Sequence, residues 1–256
     1  MADPDVGQLY SIARAIGRPV SRFLWGIRID GLGNVPASGP GIVCANHISF
    51  LDSPFLMWSL PRRLTFVGKA EYLDSWKTRY LFPAVGMIPI DRSGGEASTR
   101  ALDAAAGILE RGELFGIYPE GTRSRSGKLH KGHTGPARLA LRTGAPIIPV
   151  GIRGTDRIQP PEAKLPRLFL PCELRFGTPV RVGKYGERAK HDRLVFREIT
   201  DEVMFEIREL SGQEYVDTYA TKKPDEGLPA EPAVVRSADG EAPTDGAAAP
   251  LSAGPA

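Results

Sequence analysis

The residues best equipped to move a proton in this chain are Asn46-His47 and, five positions after the histidine, Asp52. They follow a short apolar run, Ile42-Val43-Cys44-Ala45, with the length and β-branched content of a buried strand. Pro54 stands two residues after the aspartate, where a helix can begin because its missing N–H would have had no partner. A histidine at a strand end, followed by a turn and a carboxylate, is a recipe for an oriented general base. The carboxylate holds one tautomer of the imidazole and stabilises the imidazolium that forms. Taken alone, a strand-end histidine is more often a satisfied structural residue than a base. The elements around it decide.

Those elements read as an alternation. Strands are expected over Arg63–Val67, from Gly86 into Ile90, over Leu114–Tyr118, Pro146–Ile152 and Cys172–Phe176. Helices are expected over Pro54–Leu60, Ser75–Phe82, Glu96–Arg111 with Gly112 as its stop, after the basic loop Arg125–His133 through Arg142 with Gly144 as its stop, and over Asp192–Leu210, with Leu194, Ile199, Val203, Phe205 and Ile207 on the apolar side of the last. Alternation of this kind implies one α/β layered domain, residues 31–221, with a largely parallel or mixed sheet flanked by helices. Ligands of such sheets sit outside the carboxyl ends of the strands, where His47, Arg92 and Glu120 to Arg123 would emerge.

Residues 1–30 form a separate amphipathic helical segment. Leu9, Ile12, Ile16, Val20, Phe23 and Ile27 recur at intervals of three and four, with Arg14, Arg18 and Arg22 on the opposite face. Pro19 is expected to kink or split this helix. A basic amphipathic helix beside Trp25 suits the plane of an anionic membrane; a helix packed on the domain with its arginines in water explains the pattern equally well. Residues 222–256 are rich in Ala, Pro and Gly, lack aromatics and periodicity, and read as a disordered acidic tail. That tail holds three basic and six acidic residues, so residues 1–221 carry a formal +6 where the whole chain carries +3. The basic body favours anionic substrates or a membrane surface.

Composition removes several classes. Two cysteines, Cys44 and Cys172, both inside apolar runs, make no disulfide framework and fit a reduced cytoplasmic setting. No run of eighteen uncharged apolar residues predicts a membrane-spanning helix, and the first residues lack the pattern of a secretory signal. Gly121 to Lys128 misses the phosphate-binding loop of nucleotide hydrolases, because five residues separate its glycines and Leu129 stands where Ser or Thr is needed. There is no G-x-S-x-G, and His130-x-x-His133 is too sparse for zinc without cysteines nearby. Neither a metal nor a nucleic acid is expected.

Four blocks remain: Asn46-His47 with Asp52, Gly86-Met87-Ile88-Pro89-Ile90-Asp91-Arg92, Tyr118 to Ser124 (YPEGTRS), and Ile148-Pro149-Val150. In order and spacing they resemble the motif blocks of the glycerolipid acyltransferase family, typified by the bacterial 1-acylglycerol-3-phosphate acyltransferases. The resemblance spans roughly residues 30 to 180 and implies transfer of a fatty acyl group from acyl-CoA or acyl carrier protein to the free hydroxyl of lysophosphatidic acid or a related lysolipid. It implies no cofactor beyond the acyl donor, and a peripheral position on the cytoplasmic face of the cell membrane.

Acyl transfer from a thioester to an alcohol needs a base, donors for the tetrahedral oxyanion and cations for phosphate. His47 is the expected base, with Asp52 orienting it and Asn46 beside it at the substrate. Arg92 and Arg123 suit the acceptor phosphate, since guanidinium binds it in a bidentate way. Gly121 lets the backbone approach closely, so its N–H is the expected oxyanion or phosphate donor, with Thr122 beside it. By resemblance Glu120 is a binding and positioning residue, on an arginine or the acceptor's glycerol, rather than the base. One departure stands out: where many family members carry a phosphate-serving lysine after the third block, this chain has His133, with Lys131 two residues earlier. Two alternatives follow, another lipid acceptor such as a lysophospholipid or glycolipid, and a non-enzymatic module that binds anionic phospholipid without using His47 and Asp52.

Overall fold

The computed structural model describes residues 4–69, 87–90, 97–160, 163, 165–186, 189 and 191–221. The expected helix over Ser75–Phe82, the side chains of Asp91 and Arg92, and the acidic tail lie outside those residues.

Helix α1 (Pro4–Trp25) opens the chain, followed by strand β1 (Arg28–Asp30), β2 (Gly41–Ala45), α2 (Asp52–Ser59), β3 (Leu64–Lys69) and β4 (Met87–Ile90). Then come α3 (Ala97–Glu110), β5 (Leu114–Ile117), β6 (Leu129–His130), α4 (Gly135–Thr143), β7 (Ile147–Arg153), the single turn α5 (Thr155–Ile158), β8 (Glu173–Phe176), α6 (Arg193–Ser211) and β9 (Tyr215–Val216). Seven strands form one sheet in the order β1-β8-β7-β2-β5-β3-β4, and β6 pairs with β9 apart from it. The five strands from β7 to β4 are parallel; β8 runs against β7 and takes β1 with it. The expected mixed α/β sheet is therefore present.

The unbroken apolar strands follow from having a core on each face. Ile42 and Cys44 of β2 point into one core with α3, α4 and α6, while Val43 and Ala45 point into the other with α2 and Trp25. Both cysteines are buried and free, and burial pushes both thiols up, Cys172 to about 12 and Cys44 further. Neither is a nucleophile.

Two expectations change at the helices. Helix α1 runs through Pro19 without a break. Its buried face is Tyr10, Gly17, Ser21 and Trp25, while Ile12, Ile16, Val20 and Phe23 stay exposed. The reason is local: α1 lies so close on α2 that a Cβ on Gly17 would stand 2.2 Å from the ring of Trp58. Trp25 belongs to the core, its ring tilted at 46° and 5.3 Å from that of Phe55, and Ile27 is buried beyond the helix end. In α6 the buried side is Phe196, Ile199, Thr200, Val203, Met204 and Ile207, and the expected Leu194 and Phe205 face outward. Asp192 caps its start by accepting from Leu194 N–H, and Gly212, in the left-handed region at φ 67°, ends it.

Candidate active site

Strand β2 ends at Ala45, and the six following residues bring His47 back over Asp52, the first residue of α2. Seven of the eight α2 residues are buried, so the carboxylate stands on an element with no room to move. Its Oδ2 lies 2.8 Å from His47 Nδ1 and accepts the N–H groups of Ile48 and Ser49, each at 2.8 Å. Its Oδ1 accepts from the Thr155 hydroxyl at 2.6 Å. A buried carboxylate with four partners is anchored in one orientation. Because Nδ1 of His47 is committed to Asp52, Nε2 is the nitrogen left for proton exchange.

The third block clamps the first. Glu120 Oε1 accepts the His47 N–H at 3.0 Å, and Ser124 N–H donates to the His47 carbonyl at 2.7 Å. The His47 ring lies flat on Tyr118, 3.9 Å between centroids at 10°, and the Tyr118 hydroxyl meets Ser53 at 2.7 Å. Histidine and aspartate are thus fixed by groups from the loop after β5, from β7's exit and from α2.

Several expected roles are reassigned. Asn46 is fully buried: its amide donates to Ile152 O at 2.9 Å and Gln213 Oε1 at 2.7 Å, and its oxygen accepts from Ile152 N–H at 2.7 Å. It ties β2 to β7 and has nothing left for substrate. Glu120 is 1% exposed, and both oxygens accept backbone N–H groups, of His47 and of His130. Among the described residues no arginine is hydrogen-bonded to it. Burial pushes its carboxyl up to about 7, against the pull of those two N–H donors. Gly121 takes the left-handed backbone at φ 74°, and its N–H donates to Tyr118 O at 3.1 Å, which withdraws it as an oxyanion donor.

The residues that do face outward are Arg123, exposed, and Thr122, half-buried. His133 is exposed against Gly121, where a Cβ would stand 3.2 Å from its ring, and stacks on Tyr219 at 4.5 Å. Burial and nearby Arg197 lower its pKa, so it is neutral at neutral pH. Lys131 pairs with Asp217 at 2.8 Å, which raises its pKa and divides its charge. The Arg92 side chain lies outside the described residues. On the other side of the His47 turn, a cleft of about 220 Å³ runs between Ile48, Arg153, Asp156, Arg157 and Gln213.

Thr155, Gln213 and Tyr219 complete the site and were not expected, and Tyr118, the first residue of the third block, had no expected role of its own. Gln213 bridges Asn46 and Gly127 O, and Tyr219 packs His133. A hydroxyl two residues beyond a buried strand is a weak signal by itself. It acquires meaning only when parallel pairing of β7 with β2 sets it beside Asp52. Among the described residues no cluster of His, Cys, Asp and Glu has the makings of a metal site.

An anchored histidine–aspartate pair thus stands at the carboxyl edge of a mixed α/β sheet, with exposed Arg123 in the loop that follows β5. The acyltransferase family model matches residues 26–153, half of the chain, and this protein belongs to that family. It is 30% identical over 193 residues to human 1-acyl-sn-glycerol-3-phosphate acyltransferase alpha, covering 70% of this chain and 67% of that one. It is also 30% identical over 135 residues to the chloroplastic LPAT1 enzyme of that name from Arabidopsis thaliana, over 52% of this chain but only 38% of the relative's length. The fold is similar to the crystal structure of the 1-acyl-sn-glycerophosphate (LPA) acyltransferase PlsC from Thermotoga maritima, with a TM-score of 0.62, 25% identity and 82% and 83% of the two chains covered. The family match ends at Arg153, two residues before Thr155.

Proposed function

We propose that this chain transfers a fatty acyl group from acyl-CoA or acyl carrier protein to the free hydroxyl of 1-acylglycerol 3-phosphate, giving phosphatidic acid. The observation that carries the reading is the His47 Nδ1–Asp52 contact of 2.8 Å on a carboxylate with three further partners. His47 Nε2 takes the hydroxyl proton of the acceptor, and the resulting alkoxide attacks the thioester carbon. The tetrahedral intermediate collapses, the C–S bond breaks, and the thiolate leaves with the proton from His47. Atoms balance without an acyl-enzyme or any cofactor beyond the donor. Arg123 and, by its place in the second block, Arg92 meet the acceptor phosphate.

The names of the similar proteins support lysophosphatidic acid as acceptor, and the basic body suits either donor. Among the described residues no helix is long and apolar enough to cross a membrane. Exposed Ile12, Ile16, Val20 and Phe23 on α1, a helix that also exposes Arg18 and Arg22, support a peripheral seat on an anionic membrane surface, and free cysteines and the donor's chemistry support its cytoplasmic face. A neutral His133 favours a second reading, an acceptor with less phosphate charge at that point.

The test is a panel of acyl-CoA with lysophosphatidic acid, glycerol 3-phosphate and neutral lysolipids. His47→Ala is expected to lower turnover by about 10³-fold or more while leaving the fold and lipid binding intact. If the wild type turns over none of the panel while binding lipid, the chain is a lipid-binding module instead.

A further inference from the structure

Seven of the eleven large apolar side chains exposed among the described residues fall in two places: Ile12, Ile16, Val20 and Phe23 on α1, and Leu165, Leu168 and Phe169 in the segment before β8. The second place adjoins the C-terminal end of the helix that carries the first. Phe169 N–H donates to Leu24 O at 2.8 Å, and Trp25 Nε1 donates to Arg167 O at 2.8 Å, so the segment is pinned along the end of α1. Phe169 is the one residue other than glycine, among the described residues, with positive φ, at 61°. A bulky side chain adopts that backbone only when its surroundings impose it. The result is a ring 70% exposed, beside Leu168 at 50% and Leu165 at 79%. Burial in this protein's own core does not account for that arrangement.

The charges say what covers it. Arg18 and Arg22 are exposed on the flank of α1, and Arg167 is exposed within the apolar segment itself. Residues 163–170 read Ala-Lys-Leu-Pro-Arg-Leu-Phe-Leu, with no acid, and α1 holds only Asp5. Apolar tips accompanied by arginines match the headgroup–acyl boundary of an anionic bilayer, where rings and leucines enter and guanidinium groups stay with phosphate. The segment also reaches the chemistry. Arg167 N–H donates to Ile158 O at 2.8 Å, and the Ser49 hydroxyl of the catalytic turn donates to Gln159 O at 3.1 Å.

We infer that Leu165, Leu168 and Phe169 form a second membrane-inserting element that seats with α1 on anionic lipid and holds the His47 turn at the level of its acceptor. Its purpose rests on the proposed lipid acceptor, but its test uses no turnover, so a failure of the activity and a failure of this inference are separate results. Full-length protein is sedimented with phosphatidylglycerol-containing vesicles and with pure phosphatidylcholine vesicles. The double variant Leu168→Ser/Phe169→Ser, with its melting transition as a check on folding, is expected to bind the anionic vesicles at least about tenfold more weakly. A nitroxide at Leu168→Cys keeps the inference testable if the double variant unfolds, because Cys44 and Cys172 are buried and escape labelling. On vesicles its accessibility to oxygen should rise and that to a polar relaxant fall. Unchanged vesicle binding by a folded variant overturns the inference, as does a nitroxide that stays in water. So does loss of a dimer with vesicle binding intact, which assigns the face to a second copy of the chain.

Discussion

The His47–Asp52 turn and the Gly121–His133 loop sit side by side and are built on opposite terms. In the turn, Asp52 is fully buried with four partners, and both peptide groups around His47 are held by the third block. In the loop, Arg123 and His133 are exposed, and Lys131 shares an ion pair with Asp217. A proton transfer needs its atoms within fractions of an ångström, whereas a phosphate is attracted from several directions and over longer range. The difference makes the first region brittle to substitution and the second tunable.

The largest break after loss of His47 itself is expected at Glu120, which is the hinge between the two regions. Its folded carboxyl stands at about 7, above the ordinary 4.5. A raised pKa means the folded state binds the proton more tightly. That contribution is fully present below about pH 4.5 and is lost as pH rises through about 7, amounting to about 3 kcal/mol. Glu120→Gln cannot titrate, so the slope of denaturation free energy between those pH values should disappear, relative to wild type. An unaltered slope would place the titrating group elsewhere. Gln also offers one acceptor where two backbone N–H groups need one, so the variant should lose activity as well.

Thr155→Val tests the turn alone. The change keeps the shape and strands Asp52 Oδ1 without its 2.6 Å partner, at a cost of about 1–3 kcal/mol. The expected reading is kcat down about tenfold to a hundredfold, KM unmoved, and recovery in Thr155→Ser. A matched rise in KM would mean Thr155 shapes substrate binding instead of aiming the base.

The same contrast explains what was legible beforehand. The buried strands β2, β5 and β7, and the His47–Asp52 pair, are local patterns: a β-branched run, a fixed interval of five, a proline in the first helical turn. The true faces of α1 and α6 were not, because periodicity reports an apolar stripe without saying whether it meets protein or something else. Gly17 against Trp58 decides the case of α1, and that contact joins residues 41 apart. Asn46 and Glu120 misled for a related reason. Polar side chains in a motif look like ligands for substrate until the pairing of β2 with β7, and the path of residues 120–130, show backbone groups that need them. Thr155 and Gln213 are joined to the site only through tertiary contacts across 103 and 167 residues.

The smallest expected effect belongs to the tunable loop and says most about the acceptor. His133 is held neutral by burial and by Arg197, and its ring fills the space between Gly121 and Tyr219. His133→Lys adds a cation about where a lysophosphatidate phosphate would lie beside Arg123, in a site open enough for water to screen it. The gain is then bounded at about 1 kcal/mol, or a severalfold lower KM, declining with salt, with kcat unchanged. Loss of the Tyr219 stack works against it, so a charged acceptor must recover more than the ring gave up. If KM for lysophosphatidic acid falls while that for a neutral lysolipid does not, phosphate sits at residue 133 and the histidine lowers affinity for it. If both rise together, the ring of His133 is the contact, and the acceptor presents carbon or hydroxyl there rather than phosphate.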